Sequence, residues 1–421
     1  METRASQVSR GARTDHSLPR PSTAAAVGVL AILAASYIVN AADRQVFPVL
    51  VPQIQSDLHF ALSQGGLLAT VFTLGIGIAG IPTGRLLDKI SRKSAMLIGI
   101  ALYSAFTVLT AQSLGFGDML TYRALSGIGE SLQNAALFSA VGAFFFTRRS
   151  FAIGVLNLSY GLGGFLGPLL GADLASATGN WRVPLYLFGG IGFLFAVVIL
   201  LTVSRRFTEV KDGAGPAVAV PDSNAPRTLL NRDSILLCVV AALAGLAVLG
   251  YLGLYPTFLQ SQLHLSLKDA GLAASLYGIG SMVASVPAGW LGDRIGNKAV
   301  IILALSGSIV VAFIMFFIAT TTVEQAILSF LVGAFGSGLI YVNLYAGMQK
   351  SLHPSIVGRA SGAFITWFYL PAALAGYLFS LLVGHVGWHG AALVQLMAFP
   401  AIGIVCALLI SARPGTGSAA R

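Results

Sequence analysis

Apolar segments of about twenty residues recur along this chain, and this pattern restricts the fold more than any other feature. Of the 421 residues, 56% are hydrophobic and only 10% are charged, whereas about a quarter of the residues in a soluble domain are charged. A helix of about 20 apolar residues spans the hydrocarbon core of a bilayer. Because such segments follow one another from Ala24 to Ala412, the sequence predicts an all-α membrane protein.

Charged residues and Pro/Gly clusters divide the apolar sequence into twelve predicted transmembrane helices. A hydrophilic segment at 205–233 separates two groups of six and is predicted to be a cytoplasmic linker. The domains are therefore a tail at 1–23, a six-helix bundle at 24–204, the linker, a second six-helix bundle at 234–412 and a tail at 413–421. The predicted spans lie at 24–52, 62–86, 93–113, 117–146, 150–178 and 183–204, and then at 234–260, 267–291, 297–319, 322–350, 355–385 and 387–411.

The distribution of basic residues predicts the orientation of the chain. Most of the 25 Lys and Arg residues lie in the N-terminal tail, the even-numbered loops and the C-terminal tail. Cytoplasmic loops of membrane proteins carry such an excess of positive charge. Both termini are therefore predicted to be cytoplasmic in a multi-pass protein of the bacterial inner membrane, and the net charge of +10 is not interpreted as a nucleic-acid surface.

The residues that usually carry enzyme chemistry show no catalytic pattern in this sequence. Cys238 and Cys406 lie in apolar segments, where a thiol acts as a small hydrophobic group. The histidines fall in tails, loops or span ends, without metal-ligand spacing or a nucleophile elbow. We expect neither an enzyme nor a metal or other cofactor, and the energy source is predicted to be a proton gradient.

Four ionisable residues lie inside predicted spans, where unpaired charge is costly and therefore suggests function. Asp43 and Arg44 belong to the first span, and Arg123 and Glu130 belong to the fourth. Arg123 and Glu130 are seven residues apart, so both should point from the same helix face. Together the four charges sum to zero, which makes their burial cheaper. They form either a permanent ion-pair lock between helices or a site in which carboxylates exchange protons while arginines hold an anion.

Away from their ends, the predicted spans of the second half contain no acidic or basic residue, which suggests a division of labour between the halves. The charged half would capture the anion and couple its movement to protons, while the neutral half would recognise shape and hydroxyl groups. The further candidates for substrate contact are the neutral residues Asn40, Asn157, Tyr160, Tyr255, Tyr341, Asn343, Thr366 and Trp367.

The loop after the second span of each half repeats one pattern, which is evidence that the halves are copies of one another. Residues 84–93 read GRLLDKISRK and residues 289–298 read GWLGDRIGNK. A glycine permits close helix approach, and a loop carboxylate can pair with basic groups or with a helix N-terminus. The shared pattern resembles that of the major facilitator superfamily, Gly-x-Leu-x-Asp-Arg-x-Gly-Arg-Lys. The resemblance implies a cytoplasmic gate formed by Gly84, Asp88, Arg92, Lys93, Gly289, Asp293 and Arg294.

This resemblance covers nearly the whole chain and implies two pseudo-symmetric six-helix bundles around a central cavity. One half would rock against the other, so that the cavity opens alternately to each side of the membrane. The implied partners are a small-molecule substrate, protons and the lipid bilayer, and a monomer is expected.

Residues of the first and fourth spans resemble two branches of this superfamily. Residues 40–44 read NAADR and residues 123–130 read RALSGIGE, which is similar to the anion:cation symporters and to the Spinster group. Both resemblances imply proton carriers at Asp43 and Glu130 and anion contacts at Arg44 and Arg123.

The predicted function is proton-coupled symport of a small organic anion, such as a carboxylate. The alternatives are a Spinster-like transporter of lipids or lysolipids and a drug:proton antiporter. The antiporter is suggested by residues 163–171, GGFLGPLLG, although glycines at this spacing also serve helix packing. A channel or a non-transporting receptor on the same scaffold is a further class, but neither would use exchangeable carboxylates coupled to a gate.

Overall fold

The computed structural model describes residues 23–87, 89–145, 149–209, 226, 228–352 and 357–411. Within these residues the chain is almost entirely helical and contains no β-strand. Asp88, most of the predicted linker and the predicted tails other than Thr23 lie outside the described residues.

The first half folds into seven helices and a short helical turn that follows them. Its second span is divided at Val71, where one helix ends and the next begins. The elements are α1 (Thr23–Leu58), α2 (Leu62–Thr70), α3 (Phe72–Leu87), α4 (Arg92–Ala111), α5 (Phe116–Phe144), α6 (Arg149–Thr178), α7 (Arg182–Thr202) and the turn α8 (Arg205–Thr208).

The second half repeats the layout but contains two π-helical segments, Ala334–Tyr341 and Ala392–Ala398. Such widened turns are rare in proteins, and many of those that occur lie at functional sites. The α-helices are α9 (Arg232–Ser261), α10 (Leu267–Ile295), α11 (Asn297–Phe317), α12 (Thr322–Gly333), α13 (Val342–Lys350), α14 (Val357–Ala372), α15 (Ala375–Ala391) and α16 (Phe399–Leu408).

The described helices form twelve membrane spans, as the sequence predicted. Ten segments are long and apolar enough to cross a membrane. One of them, Ala363–Leu408, has 46 residues, about twice the length of a single span, and Gly387 (φ 71°, ψ 177°) divides it in two. The remaining span is α5, which has 29 residues and carries the charged Arg123 and Glu130.

Glycines allow the helices of the first half to pack backbone against backbone. A Cβ atom at Gly75 of α3 would collide with the carbonyl oxygen of Ala124, and one at Gly127 of α5 would collide with that of Phe72. Small residues are favoured at such crossings because membrane helices associate mainly through close van der Waals packing. The α3–α5 crossing thereby fixes Phe72 beside the charged face of α5.

The two halves meet at one end of the molecule. We call the end where α1 begins and α16 ends the termini end, and the opposite end the far end. A Cβ atom at Gly66 of α2 would collide with the carbonyl oxygen of Gly376 in the other half. Also at the far end, Lys268 Nζ lies 2.9 Å from Asp173 Oδ1 in an ion pair between the halves.

Toward the termini end the facing helices α6 and α10 separate. A Cβ atom at Gly161 would lie 3.0 Å from the carbonyl oxygen of Gly278. In contrast, a Cβ atom at Gly154 of α6 or Gly289 of α10 would meet nothing within 4 Å. The structure therefore has a closed far end and halves that diverge toward the termini end.

The α3–α5 crossing gives a test of this packing. Gly127→Leu should prevent folding, because the added side chain would overlap the Phe72 backbone rather than a movable side chain. Gly117→Leu is the matched control, since Gly117 lies on the same helix with nothing within 4 Å of its Cβ position. Size-exclusion chromatography in detergent should show a monodisperse peak for Gly117→Leu and aggregate for Gly127→Leu. A monodisperse peak of normal yield from Gly127→Leu would contradict the described crossing.

Candidate functional site

One face of α1 carries a stripe of buried polar residues. Ser36, Asn40, Asp43 and Arg44 are all at most 4% exposed, and their spacing of three to four residues places them along one side of the helix. Phe47 continues the stripe by one turn and is fully buried. A polar stripe in the middle of a span needs a polar surface opposite it.

That opposite surface is a face of α5. Arg123, Ser126, Glu130 and Gln133 are each at most 1% exposed and follow one another at intervals of three or four residues. The sequence places them in a span because most of the other residues of α5 are small or apolar. The two stripes meet, and their side chains form the charged cluster that we define as Asp43, Arg44, Arg123 and Glu130.

Arg44 and Glu130 form a buried ion pair between α1 and α5. The Arg44 Nε donates a hydrogen bond to Glu130 Oε2 over 2.7 Å, and the two side chains are 5% and 0% exposed. The guanidinium also lies against Phe72 and Tyr160, with Cζ 5.5 Å and 5.7 Å from the ring centroids. Its Nη2 has no hydrogen-bond partner among the described residues, so one donor remains available beside the ion pair.

Asp43 occupies a different environment from Glu130. Thr107 of α4 donates a hydrogen bond from its hydroxyl to Asp43 Oδ2 over 2.8 Å, while Oδ1 has no partner in the described part of the chain. Arg123 lies within electrostatic range of Asp43, but no N–O distance below 4.0 Å joins Asp43 to a described basic side chain. Within the described part of the chain, Asp43 is therefore a buried carboxyl group without a direct ion-pair partner.

Arg123 is held by aromatic rings rather than by a carboxylate. Its Cζ lies 4.2 Å from the ring centroid of Phe47 and 5.3 Å from that of Phe72, which are distances at which a cation is attracted to a ring face. Its Nε and Nη2 are buried without a hydrogen-bond partner among described residues. The guanidinium is thus fixed in place with two donors unused.

A chain of amide and hydroxyl groups extends the cluster toward the termini end. Asn40 Nδ2 donates to Gln133 Oε1 over 2.9 Å, and Gln133 Nε2 donates to Ser36 Oγ over 3.4 Å. These bonds join α1 to α5 just beyond the Arg44–Glu130 pair. They satisfy buried amides and fix the relative height of the two helices, which sets where Arg44 meets Glu130.

The four charges are interpreted either as an ion-pair lock or as a site for protons and an anion, and the geometry contains elements of both. The Arg44–Glu130 bond has the geometry of a lock between helices. Asp43 and Arg123 do not, because neither forms an ion pair within 4.0 Å among the described residues. The cluster can therefore accept an anion on guanidinium N–H groups and hold or release a proton on a carboxyl group.

The other predicted substrate contacts divide into those near the cluster and those away from it. Tyr160 is half-buried beside Arg44, whereas Asn157, one turn earlier on α6, is exposed. The Tyr255 hydroxyl donates to the backbone carbonyl of Gln325 over 3.0 Å, within the second half. Tyr341 lies in the first π-helical segment, with its ring 5.1 Å from that of Phe368.

Asn343 and Trp367 lie in the second half, outside the charged cluster, and their assignment as substrate contacts stays a prediction. The Asn343 amide donates to the carbonyl oxygens of Ala288 and Leu339 and accepts a hydrogen bond from Asn297, so its polar atoms hold helices together. Trp367 is 49% exposed, and the exposed Leu370 lies one turn later on the same face of α14. Thr366 is half-buried on the same helix.

The residues predicted as a gate contact neighbours within their own half in the described part of the chain. Lys93 Nζ donates to the carbonyl oxygen of Leu200 over 2.9 Å, at the C-terminus of α7. Its repeat counterpart Lys298 donates to Leu408 over 2.8 Å, at the C-terminus of α16. Arg92 Nη1 donates to the carbonyl oxygen of Thr208, Asp293 pairs with Lys350, and Arg294 lies over Trp290. Gly84 lies in α3, and Asp88 lies outside the described residues.

Sequence reasoning missed several residues that hold the charged cluster. Thr107, Phe47 and Phe72 contact it directly, and Gln133 bonds to Asn40 beside it. Gln133 could have been found because it follows Glu130 by three residues on the face already predicted to be polar. The other three carry no such signal, because hydroxyl and phenyl groups are common in membrane helices.

Comparisons with known proteins agree with this architecture. The family model of the Major Facilitator Superfamily matches residues 33–376 and 237–420. The hexuronate transporter of Bacillus subtilis is 25% identical over 377 residues, which cover 85% of this chain and 87% of that protein. The fosmidomycin resistance protein of Escherichia coli is 23% identical over 364 residues, which cover 85% and 87%.

A solved structure has a similar fold. It is a bacterial homolog of the human lysosomal transporter Spinster in an inward-facing and occupied conformation, and it matches with a TM-score of 0.69 and 16% identity. The match covers 93% of this chain and 95% of that chain.

The Arg44–Glu130 pair predicts an asymmetry between single and double substitutions. Arg44→Met should destabilise the protein by about 3–5 kcal/mol, because it leaves Glu130 buried without its partner. The double variant Arg44→Met/Glu130→Met should recover most of this loss, since no unpaired charge remains in the pair's site. Denaturant unfolding in detergent, followed by intrinsic fluorescence, measures both changes.

The exposed pair of Arg182 and Asp57 provides the control for this comparison. Its side chains are 28% and 46% exposed, so Arg182→Met should cost no more than about 1 kcal/mol. A double variant as unstable as Arg44→Met alone would show that Arg44 does not compensate the charge of Glu130.

Proposed function

The chain belongs to the Major Facilitator Superfamily, and we propose that it uses the fold of that family to carry a small organic anion together with protons. It is a multi-pass membrane transporter and not an enzyme. The finer assignment rests on one observation. Arg44 and Arg123 are buried, yet three of their guanidinium nitrogens have no hydrogen-bond partner among described residues.

A carboxylate substrate would supply the acceptors that these nitrogens need. Buried donors without acceptors cost free energy, and guanidinium groups bind carboxylates through two parallel hydrogen bonds. The Nη2 of Arg44 is the entry point, because Glu130 already occupies its Nε. Arg123, fixed between Phe47 and Phe72, provides the second positive charge toward the far end.

Proton coupling follows from competition for the same guanidinium. When an anion binds Arg44, Glu130 loses part of its compensating charge, and taking up a proton restores neutrality. Asp43 is the second proton carrier, since it is buried without a direct ion-pair partner and Thr107 can donate to its carboxylate or accept from its carboxylic acid. The cluster thereby keeps its net charge near zero when the anion and protons move together.

The neutral half provides the remaining surface of the substrate site. A narrow cavity of about 10 Å³ lies between the halves, with Gln45 and Pro48 on one side and Tyr251, Tyr255 and Ala274 on the other. We propose that it widens to receive the uncharged part of the substrate, because its walls carry aromatic rings and an amide but no ionised group. This supports a substrate with a single anionic end.

We further propose that the open termini end faces the cytoplasm of a bacterial cell. The support is the concentration of Lys and Arg in the tails and in the loops of that end. The relative named as a hexuronate transporter fits an anionic substrate.

Export of an amphipathic lipid or a drug is the second candidate function. A small apolar cavity of about 40 Å³ inside the second half favours it, with walls that include Tyr251, Met315, Phe316 and Ile340. The relative named as a fosmidomycin resistance protein also fits export. Counterflow in proteoliposomes against a panel of carboxylates, sugar acids and lysolipids separates the two candidates by identifying which class exchanges.

Glu130→Gln tests the coupling assignment. The variant keeps the shape of the side chain but cannot bind and release a proton, so proton-driven accumulation of the exchanging anion should be lost while counterflow remains. Accumulation against a gradient and counterflow are measured in the same proteoliposomes with and without a pH gradient. Wild-type accumulation by Glu130→Gln would remove Glu130 from the coupling mechanism.

Arg44→Ala tests the anion contact. Binding of the carboxylate found in the counterflow screen should weaken at least tenfold, because a charge-assisted pair of hydrogen bonds is lost, whereas binding of its uncharged amide or ester should change little. Isothermal titration calorimetry in detergent measures both. Arg182→Ala, at the exposed far end, is the control and should bind the carboxylate as the wild type does. Equal loss for charged and uncharged ligands would show a structural role.

A further inference from the structure

The eleventh span is broken where it meets the other half. The helix α14 ends at Ala372 and α15 begins at Ala375, after Pro371, which has no backbone N–H to donate. In a continuous α-helix the carbonyl of Ala373 would accept from the N–H of Tyr377, and the N–H of Gly376 would donate to the carbonyl of Ala372. The break instead aims the Ala373 carbonyl and the Gly376 N–H toward the first half.

A single side chain of the first half contacts both of these backbone groups. Thr70, at the C-terminus of α2, donates from Oγ1 to the carbonyl oxygen of Ala373 over 2.9 Å and accepts from the Gly376 N–H over 3.3 Å. Thr70 is fully buried and Ala373 is 2% exposed, so water does not replace either bond. The break in the eleventh span is thus completed by the second span.

The methyl group of Thr70 fits a socket formed by two glycines of the second half. A Cβ atom at Gly253 of α9 would lie 3.0 Å from Thr70 Cγ2, and one at Gly376 would lie 3.1 Å from it. Gly66, one turn before Thr70, packs its carbonyl against Gly376. Only glycine at these places leaves room for the threonine at the contact between the halves.

The Thr70 hydroxyl also has an acceptor within its own helix. Its Oγ1 lies 3.3 Å from the carbonyl oxygen of Gly66, the back-bond that threonine commonly makes four residues earlier in a helix. If the halves separate at the far end, Thr70 can keep a hydrogen bond through Gly66. Ala373 and Gly376 can keep theirs only by closing the break in the eleventh span.

We propose that Thr70 is the gate residue of the far end, and that opening this end exchanges its bonds to Ala373 and Gly376 for helical bonds within the eleventh span. With the far end closed, as here, the broken span is stabilised by Thr70. With the far end open, the span is continuous and Thr70 bonds to Gly66. This inference requires only that the chain is a transporter of this fold and is independent of which substrate or ion it carries.

Distances between the halves test the gate without a known substrate. Spin labels at Leu114→Cys and Val323→Cys, on exposed far-end positions of the two halves, report its opening after Cys238 and Cys406 are replaced by alanine. A second pair at Lys89→Cys and Ile295→Cys, exposed at the termini end, reports the opposite motion. Double electron–electron resonance in liposomes gives the fraction of molecules in each state.

Thr70→Val should raise the ratio of far-end-open to far-end-closed molecules by about fivefold to tenfold, as expected for the loss of one buried hydrogen bond. Thr70→Ser should stay near the wild-type ratio, because it keeps the hydroxyl. Thr73→Val is the matched control, since Thr73 is also fully buried but its hydroxyl donates within the first half, to the carbonyl of Thr70 over 2.8 Å.

Gly253→Ala tests the same contact from the other half if Thr70→Val does not fold. Its new methyl group would press on Thr70 Cγ2 and should also favour the open far end, without touching a hydrogen bond. The proposal is overturned if Thr70→Val and Thr73→Val give the same distribution. It is equally overturned if Thr70→Ser opens the far end as much as Thr70→Val.

Discussion

The cost of placing charge in a membrane is the constraint on which the rest of this structure depends. Glu130 and Arg44 sit near the middle of their spans and are excluded from lipid and water alike. Neither could remain ionised there alone, so α1 and α5 must lie at the height that brings them together. The glycine crossing of α3 with α5 and the amide chain of Asn40, Gln133 and Ser36 hold that height.

The same constraint explains why the two halves differ although their fold repeats. The first half buries charge and therefore needs polar stripes on two helices and aromatic rings around Arg123. The second half buries tyrosines and amides that bond to one another, as between Tyr255 and Gln325. A substrate between them would meet positive charge on one wall and neutral aromatic surface on the other. In this account, the difference in charge between the two halves allows a repeated fold to couple anion transport to protons.

The sequence predicted the span count and the convergence of four charged residues, because both follow from local composition and helical spacing. It could not predict Thr107 or Phe72 as neighbours of the cluster, because the rotation of one helix against another depends on packing across many residues. It also could not predict that Asn343 bonds to Ala288 and Asn297, since a buried amide that joins helices looks the same in sequence as one that binds a ligand. Nothing in the sequence marks Thr70 as functional, because its partners Ala373 and Gly376 lie in the other half and are seen only in the structure.

The central claim is that the buried cluster takes up a proton when it binds an anion. The direct measurement is the pH change of a weakly buffered detergent solution when a transported carboxylate is added to the purified protein. The account predicts that the wild type takes up protons in proportion to the anion bound, and that Asp43→Asn and Glu130→Gln each reduce this uptake. Saturable binding of the anion to the wild type with no proton uptake at any pH would contradict it.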